Sequence, residues 1–247
     1  MNDITIRRPV KWRSAGLTDV GKVRKINEDA IMSRPDACLW AIADGMGGHE
    51  AGDIASKMIV KSLEDVKIDE DLNAAVKSIE ECIHDVNRRI IEYSEIMLDG
   101  RITGATLVSF LINNQLGVCL WAGDSRLYRF HNNTLEQISR DHSRTEELLK
   151  SGLIKPENAS SHPESNVITR AVGVSEDLNL ETRVFSIQSG DTFLLCSDGL
   201  YNSVSNEIMI QYLSCEDPNE AVQGLISAAL YNQANDNASV IVLKGVH

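Results

Sequence analysis

The chain has 247 residues, 43% apolar and 24% charged, enough to bury a sizeable core in one large domain, and this balance excludes disorder and collagen. A formal charge of −12 speaks against nucleic acid as the main partner, because phosphate backbones call for clustered Lys and Arg; an acidic surface suits cations or basic phosphopeptides, or simply keeps the protein in solution. Cys38, Cys82, Cys119, Cys196 and Cys215 are odd in number, far apart and form no CxxC pair, which points to free thiols in a reducing compartment. With no apolar leader after MNDITIRRPVKWRS and no run of about eighteen apolar residues, a cytoplasmic protein without membrane insertion is expected.

Along the chain, a β-rich run at 12–18 is followed by one at 38–43 and by a helix over about 51–64. From 71 to about 97, Leu72, Val76, Ile79, Ile83, Val86 and Ile90 recur in steps of three and four, the apolar stripe of an amphipathic helix. Strands are expected at 106–112, 116–122 and 126–130, with INNQLG (112–117) and HNNTLE (131–136) as hairpin turns, since Asn tolerates left-handed backbone. The polar stretch 141–170 has little strand signal and reads as an inserted flap, after which strands at 180–187 and 192–196 and a short helix beyond Ser205 follow. At DPNE (217–220) Asp217 caps a helix, Pro218 suits its first turn and Val222, Leu225, Ile226 and Ala229 face inward; a strand at 239–243 closes the chain. Helices and hairpin-linked strands mix without βαβ alternation, so an α+β fold of antiparallel sheets with helices outside is expected, one domain over 1–247.

Three strand-like runs end in aspartate beside glycine: Asp44-Gly45, Gly123-Asp124 and Asp198-Gly199. A fourth aspartate, Asp236, stands just before a strand. In antiparallel sheets the end of one strand and the start of its neighbour share an edge, so the four carboxylates can converge there. Such a cluster is costly unless protons or cations neutralise it, and oxygen-only ligands select hard cations such as Mg²⁺ or Mn²⁺. Any one Asp-Gly after a strand is ordinary turn chemistry; four together, with Glu28 and Asp29 upstream, favour the metal site. Glycines 45, 47 and 48 make neither GxGxxG nor a P-loop, and Asp53 stands where HExxH needs its second histidine.

TDVGKVRKINEDA (18–30), ADGMGGHEAGDIAS (43–56), GATLV (104–108), WAGDSRLYRF (121–130), SRDHS (139–143), ITRAVG (168–173), LLCSDGLYNSVSNEIM (194–209) and DNASVIVL (236–243) resemble, in order and over nearly the whole chain, the motifs of metal-dependent serine/threonine protein phosphatases of the type-2C family, bacterial branch. The resemblance implies a four-layer αββα sandwich with a flap at about 141–170 and a binuclear Mn²⁺ or Mg²⁺ site at the sheet edge. It assigns Asp44 as the bridge between two ions, Asp198 and Asp236 to the first ion's shell, and the Gly45 carbonyl and Glu28, directly or through water, to the second. Asp29 is then supporting, Asp124 with Asp198 matches a third, weaker ion, Asn237 orients Asp236, and Arg24 binds the substrate phosphate. The implied reaction is hydrolysis of phosphoserine and phosphothreonine on proteins by a metal-activated water attacking phosphorus in line.

The general acid stays open. Met46 stands where the animal and plant branch has histidine; His49, three residues later, is a candidate acid, an outer ligand or a loop residue, while His142 and His162 are expected at the surface. Implied partners are phosphorylated proteins and a cognate bacterial Ser/Thr kinase, with the protein a monomer. The alternative is a catalytically silent phosphoprotein-binding module, against which stands the retention of every core acid.

Overall fold

The computed structural model describes residues 11–47, 51–158, 162, 164 and 167–246. In chain order the strands and helices are β1 (Lys11–Asp19), β2 (Asp29–Arg34), β3 (Leu39–Met46), α1 (Ala51–Glu64), α2 (Leu72–Met97), β4 (Gly104–Ala105), β5 (Leu107–Asn113), β6 (Leu116–Ala122), β7 (Arg126–His131), β8 (Thr134–Gln137), α3 (Arg144–Lys150), β9 (Glu181–Ser186), β10 (Thr192–Cys196), α4 (Asp198–Tyr201), α5 (Asn206–Leu213), α6 (Pro218–Tyr231) and β11 (Ala238–Val246). One sheet runs β1-β11-β10-β7-β8 and the other β2-β3-β5-β6-β9, with β4 paired to β3; all pairs are antiparallel.

The expected αββα sandwich follows from how the central strands divide their side chains. Along β3, Leu39, Ala41 and Ala43 point to the helix side, where Ile59 and Leu63 of α1 and Ile79, Ile83 and Ile90 of α2 meet them. Trp40 and Ile42 point the other way and pack between the sheets against Phe110, Trp121, Phe193, Leu195 and Ile241. The second sheet repeats the plan, with Leu194, Cys196, Val240 and Val242 covered by Met209 and Leu213 of α5 and Leu225 and Ile226 of α6. Strands covered on both faces read as continuous apolar runs, because successive side chains alternate between two apolar layers.

Local chemistry sets the ends. Both central residues of the β7–β8 turn, Asn132 and Asn133, have positive φ (46° and 60°), as a two-residue hairpin with the right-handed strand twist requires. Asp71 caps α2, its side chain accepting the Ala74 N–H at 2.9 Å. Asp71→Ala should therefore cost about 1 kcal/mol and lower the melting temperature by about 3 °C in a thermal melt. Among the described residues no helix is long and apolar enough to cross a membrane, and all five cysteines are free.

Candidate active site

The site lies where β3, β6, β10 and β11 reach one edge of the sandwich. Asp44, near the end of β3, faces Asp29 of β2 as its cross-strand partner. The Asp44 main chain is held on both sides by Thr106, whose N–H donates to the Asp44 carbonyl at 2.8 Å and whose Oγ1 accepts the Asp44 N–H at 3.3 Å. Asp29 is buried, and its Oδ2 accepts hydrogen bonds from Ser197 Oγ at 2.8 Å and Ser239 Oγ at 2.6 Å. Those hydroxyls belong to the other sheet, just past β10 and within β11, so Asp29 ties the two sheets together beside the site.

Burial, only partly offset by the two hydroxyls, pushes Asp29 up to about 6. Asp44 is half-buried at the centre of the acidic group. Burial, followed by the charges of Asp29, Asp198, Asp124 and Asp236, holds its carboxyl well above the ordinary value. Asp198, the first residue of α4, is pushed up to about 7 by burial and then by Asp124 and Asp236. Asp124, past the end of β6, rises to about 6 through burial and then Asp141. The structure thus brings Asp29, Asp44, Asp124, Asp198 and Asp236 into one interacting group, as the strand-end pattern predicts.

Asp236 is the open side of the group. Its Oδ1 accepts the Asn237 N–H at 2.9 Å and its Oδ2 accepts Arg24 Nη2 at 2.7 Å, an ion pair near half exposed on both sides. That hydrogen bond, with the Asp236 charge, raises the already high proton affinity of Arg24. The Asn237 side chain does something other than orient Asp236: Nδ2 donates to the carbonyls of Val20 and Ile26 at 2.9 and 3.0 Å, and Oδ1 accepts the Glu28 N–H at 2.8 Å. It is a clamp on the 20–28 loop, and so places both Arg24 and Glu28.

Glu28 is raised by burial, with Arg24 opposing and Asp53 adding to the shift. Gly45 lets three main-chain segments meet: a Cβ there would stand 2.3 Å from the Gly52 carbonyl oxygen and 2.6 Å from that of Glu28. Gly52 is equally constrained, since its Cβ would lie 2.6 Å from Glu28 Oε1. Gly52 and Asp53 are site residues that sequence reasoning missed, although both stand inside the quoted 43–56 motif.

Further neighbours of the rim are not legible in the sequence. Arg126 holds Asp141 through Nε (3.0 Å to Oδ1) and Nη2 (2.7 Å to Oδ2), and its guanidinium lies 3.5 Å over the ring of Tyr201, which stands near enough to Asp124 for the two to influence each other's titration. His142, expected at the surface, is only 7% exposed, stacked on Trp121, because the chain entering the flap turns inward there. The flap itself carries a helix, α3, capped by Ser143. His49 lies outside the described residues.

Glu28 Oε1, Asp29 Oδ1 and Asp53 Oδ1 are buried with no hydrogen-bond donor among the described residues, the state of oxygens whose partner is a cation. The donor set of carboxylates, without thiol or imidazole, fits hard divalent ions. Among the described residues no three acidic, histidine or cysteine groups stand as a ready-made cage; the carboxyls ring a rim on which like charges repel and Arg24 draws Asp236 aside.

A protein-family model, "Protein phosphatase 2C", matches residues 22–227. The serine/threonine phosphatase stp of Listeria welshimeri is 37% identical over 92% of this chain and 93% of its own length. Among solved structures, PppA of Pseudomonas aeruginosa, described as a key regulatory component of T6SS, superposes with a TM-score of 0.89 at 41% identity, over 96% of this chain and 99% of PppA. The catalytic domain of the phosphatase PstP, solved in complex with 2 manganese ions, gives a TM-score of 0.86 at 32% identity, over 97% of this chain and 100% of that one. With motifs, sandwich and acidic rim in agreement over most of its length, the chain belongs to the protein phosphatase 2C family.

Proposed function

We propose that this protein hydrolyses phosphoserine and phosphothreonine on other proteins, with two Mn²⁺ or Mg²⁺ ions held at the Asp44 rim of a single catalytic domain spanning 1–247. The carrying observation is Asp44, half-buried and surrounded by Asp29, Asp124, Asp198 and Asp236, an excess of negative charge that cations would relieve. Asp44 would bridge the ions, Asp198 and Asp236 would complete one shell, and the Gly45 carbonyl and Glu28 would serve the other; Asp124 with Asp198 would hold a third ion more weakly. Bound ions of this kind supply an activated water for in-line attack and neutralise charge on phosphorus oxygens.

The chain's own residues do the rest. Arg24 sits at the open side of the rim on a loop fixed by Asn237, so its planar fork can leave Asp236 for two oxygens of an incoming phosphate. Asp29 holds the two sheets in register beneath the ions through Ser197 and Ser239. The flap at 141–170 would govern access of the protein substrate. A cytoplasmic monomer opposing a bacterial Ser/Thr kinase is the setting that the free thiols and the family likeness support.

The test is hydrolysis of a phosphothreonine peptide by protein stripped with EDTA and then given Mn²⁺. Activity lost and restored supports the proposal; binding of the peptide with no turnover in Mn²⁺ would instead mean a silent phosphoprotein-binding module. In the same assay Arg24→Ala should lower kcat/KM by roughly 10- to 100-fold, the equivalent of one or two charge-assisted hydrogen bonds worth about 1.5–3 kcal/mol. An unchanged kcat/KM would remove Arg24 from the phosphate site.

A further inference from the structure

His142 makes four directed contacts at the junction of the acidic rim and the flap. Its N–H donates to the Gly123 carbonyl at 2.9 Å, and its Nδ1 accepts the Gly123 N–H at 3.1 Å, so both main-chain groups of Gly123 end on one residue. Its carbonyl accepts the Thr169 N–H at 2.8 Å, and beside it Ser143 bridges Ile168, so the same residue holds the returning chain of the flap. Its Nε2 lies 3.0 Å from Glu181 Oε2.

The tautomer follows from these partners. Nδ1 accepts a main-chain N–H, so the ring proton sits on Nε2 and is donated to Glu181; Arg170 Nη1, 3.4 Å from the same nitrogen, finds no lone pair there. Glu181, at the start of β9, therefore fixes the ring state that lets Nδ1 accept. Gly123 has little freedom to respond to a loss of that bond. Its φ is +114°, and an added Cβ would stand 2.5 Å from Thr106 Cβ, the residue that secures the Asp44 main chain.

We infer that His142, oriented by Glu181, is the positioning residue for the Gly123–Asp124 turn, and that through Asp124 it sets the affinity of the weaker divalent-ion site while linking that site to the flap. This rests on the reading of Asp124 and Asp198 as the ligands of a third ion. Removal of a partner that orients a ligand typically costs about 10- to 100-fold in metal affinity, which sets the size of the effect.

The experiment compares wild-type protein with His142→Gln, which reaches Glu181 but has no acceptor at the Nδ1 position, and His142→Asn, whose Oδ1 falls where Nδ1 stands. The readouts are amide hydrogen exchange at Gly123 and Mn²⁺ binding by calorimetry with ion counting. In His142→Gln the Gly123 amide should exchange about tenfold faster or more and the weakest Mn²⁺ should bind about tenfold less tightly, with the two tight ions unchanged. His142→Asn should return both to within about threefold of wild type. Glu181→Ala, at a position 47% exposed on its side chain and so safe for folding, should weaken the same ion by a smaller factor. Wild-type exchange and binding in His142→Gln would overturn the inference, as would loss of tight and weak ions together in both histidine variants. Wild-type protein that binds two ions and no third overturns the ligand reading of Asp124 and this inference with it; the Gly123 exchange rate in His142→Gln then separates that failure from failure of the contact itself.

Discussion

Asp198→Ala should abolish turnover, lowering kcat/KM on a phosphothreonine peptide in Mn²⁺ by at least about 10³-fold, because it removes an ion ligand and with it the charge stabilisation that a single group supplies. The same substitution should not cost stability. Asp198 opens α4 half-buried, where Asp124, Asp236 and Asp29 all disfavour its charge, so in the ion-free state its removal relieves repulsion. The ion-free variant is expected to melt at or above the wild-type temperature at pH 7.5. A folded Asp198→Ala protein with wild-type turnover would show that the ions, if needed at all, are held elsewhere.

Stability of the ion-free protein should fall as pH rises, the reverse of what salt-bridged carboxylates produce. Asp29 and Asp124 are pushed up to about 6 and Asp198 to about 7 from an ordinary value of 3.8, and Asp44 too is held well above that value. Each group binds its proton more tightly folded than unfolded, so from about pH 4 to about pH 7 the folded state carries the extra protons and loses stability as they leave. EDTA-treated protein should accordingly melt several degrees higher at pH 5 than at pH 8. Millimolar Mn²⁺ should reverse the trend, raising the melting temperature more at pH 8, where protons no longer compete for the same oxygens. A melting temperature that rises with pH in EDTA would mean that these carboxylates are stabilised as anions by partners other than added ions.

What the sequence makes legible here depends on whether burial leaves a local pattern. β3, β6 and β10 stand out because both of their faces are covered, so apolar residues run without a break; the 116–122 and 192–196 strands coincide with β6 and β10 residue for residue. α2 stands out by its stripe and α6 by Asp217 and Pro218. β2 does not, since DAIMSR is short and bounded by Asp29 and Arg34, nor does the edge strand β8, TLEQ. Helix α3 is the flap feature a closer reading could have found: Ser143 with Glu146 three residues on is a capping signature, and the Ser143 hydroxyl accepts the Glu146 N–H.

The site divides in the same way. Asp44, Asp124, Asp198 and Asp236 are visible because strand ends carry them, and antiparallel pairing turns separate strand ends into one edge. Asp53, Tyr201 and the buried state of His142 are set by contacts between segments far apart in the chain, to Glu28, Asp124 and Gly123 respectively, and no local spacing encodes them. Asn237 shows the limit most clearly: adjacency to Asp236 suggests an orienting role, whereas three of its side-chain bonds run to the loop that carries Arg24.

The central claim, that the Asp44 rim is a binuclear site for hard cations, is tested most directly by anomalous scattering from crystals grown in Mn²⁺. The account predicts two strong peaks sharing the Asp44 carboxylate, one also meeting Asp198 and Asp236 and the other the Gly45 carbonyl and the Glu28 side. Strong peaks away from Asp44, or an empty rim in crystals of protein that remains active, would contradict it.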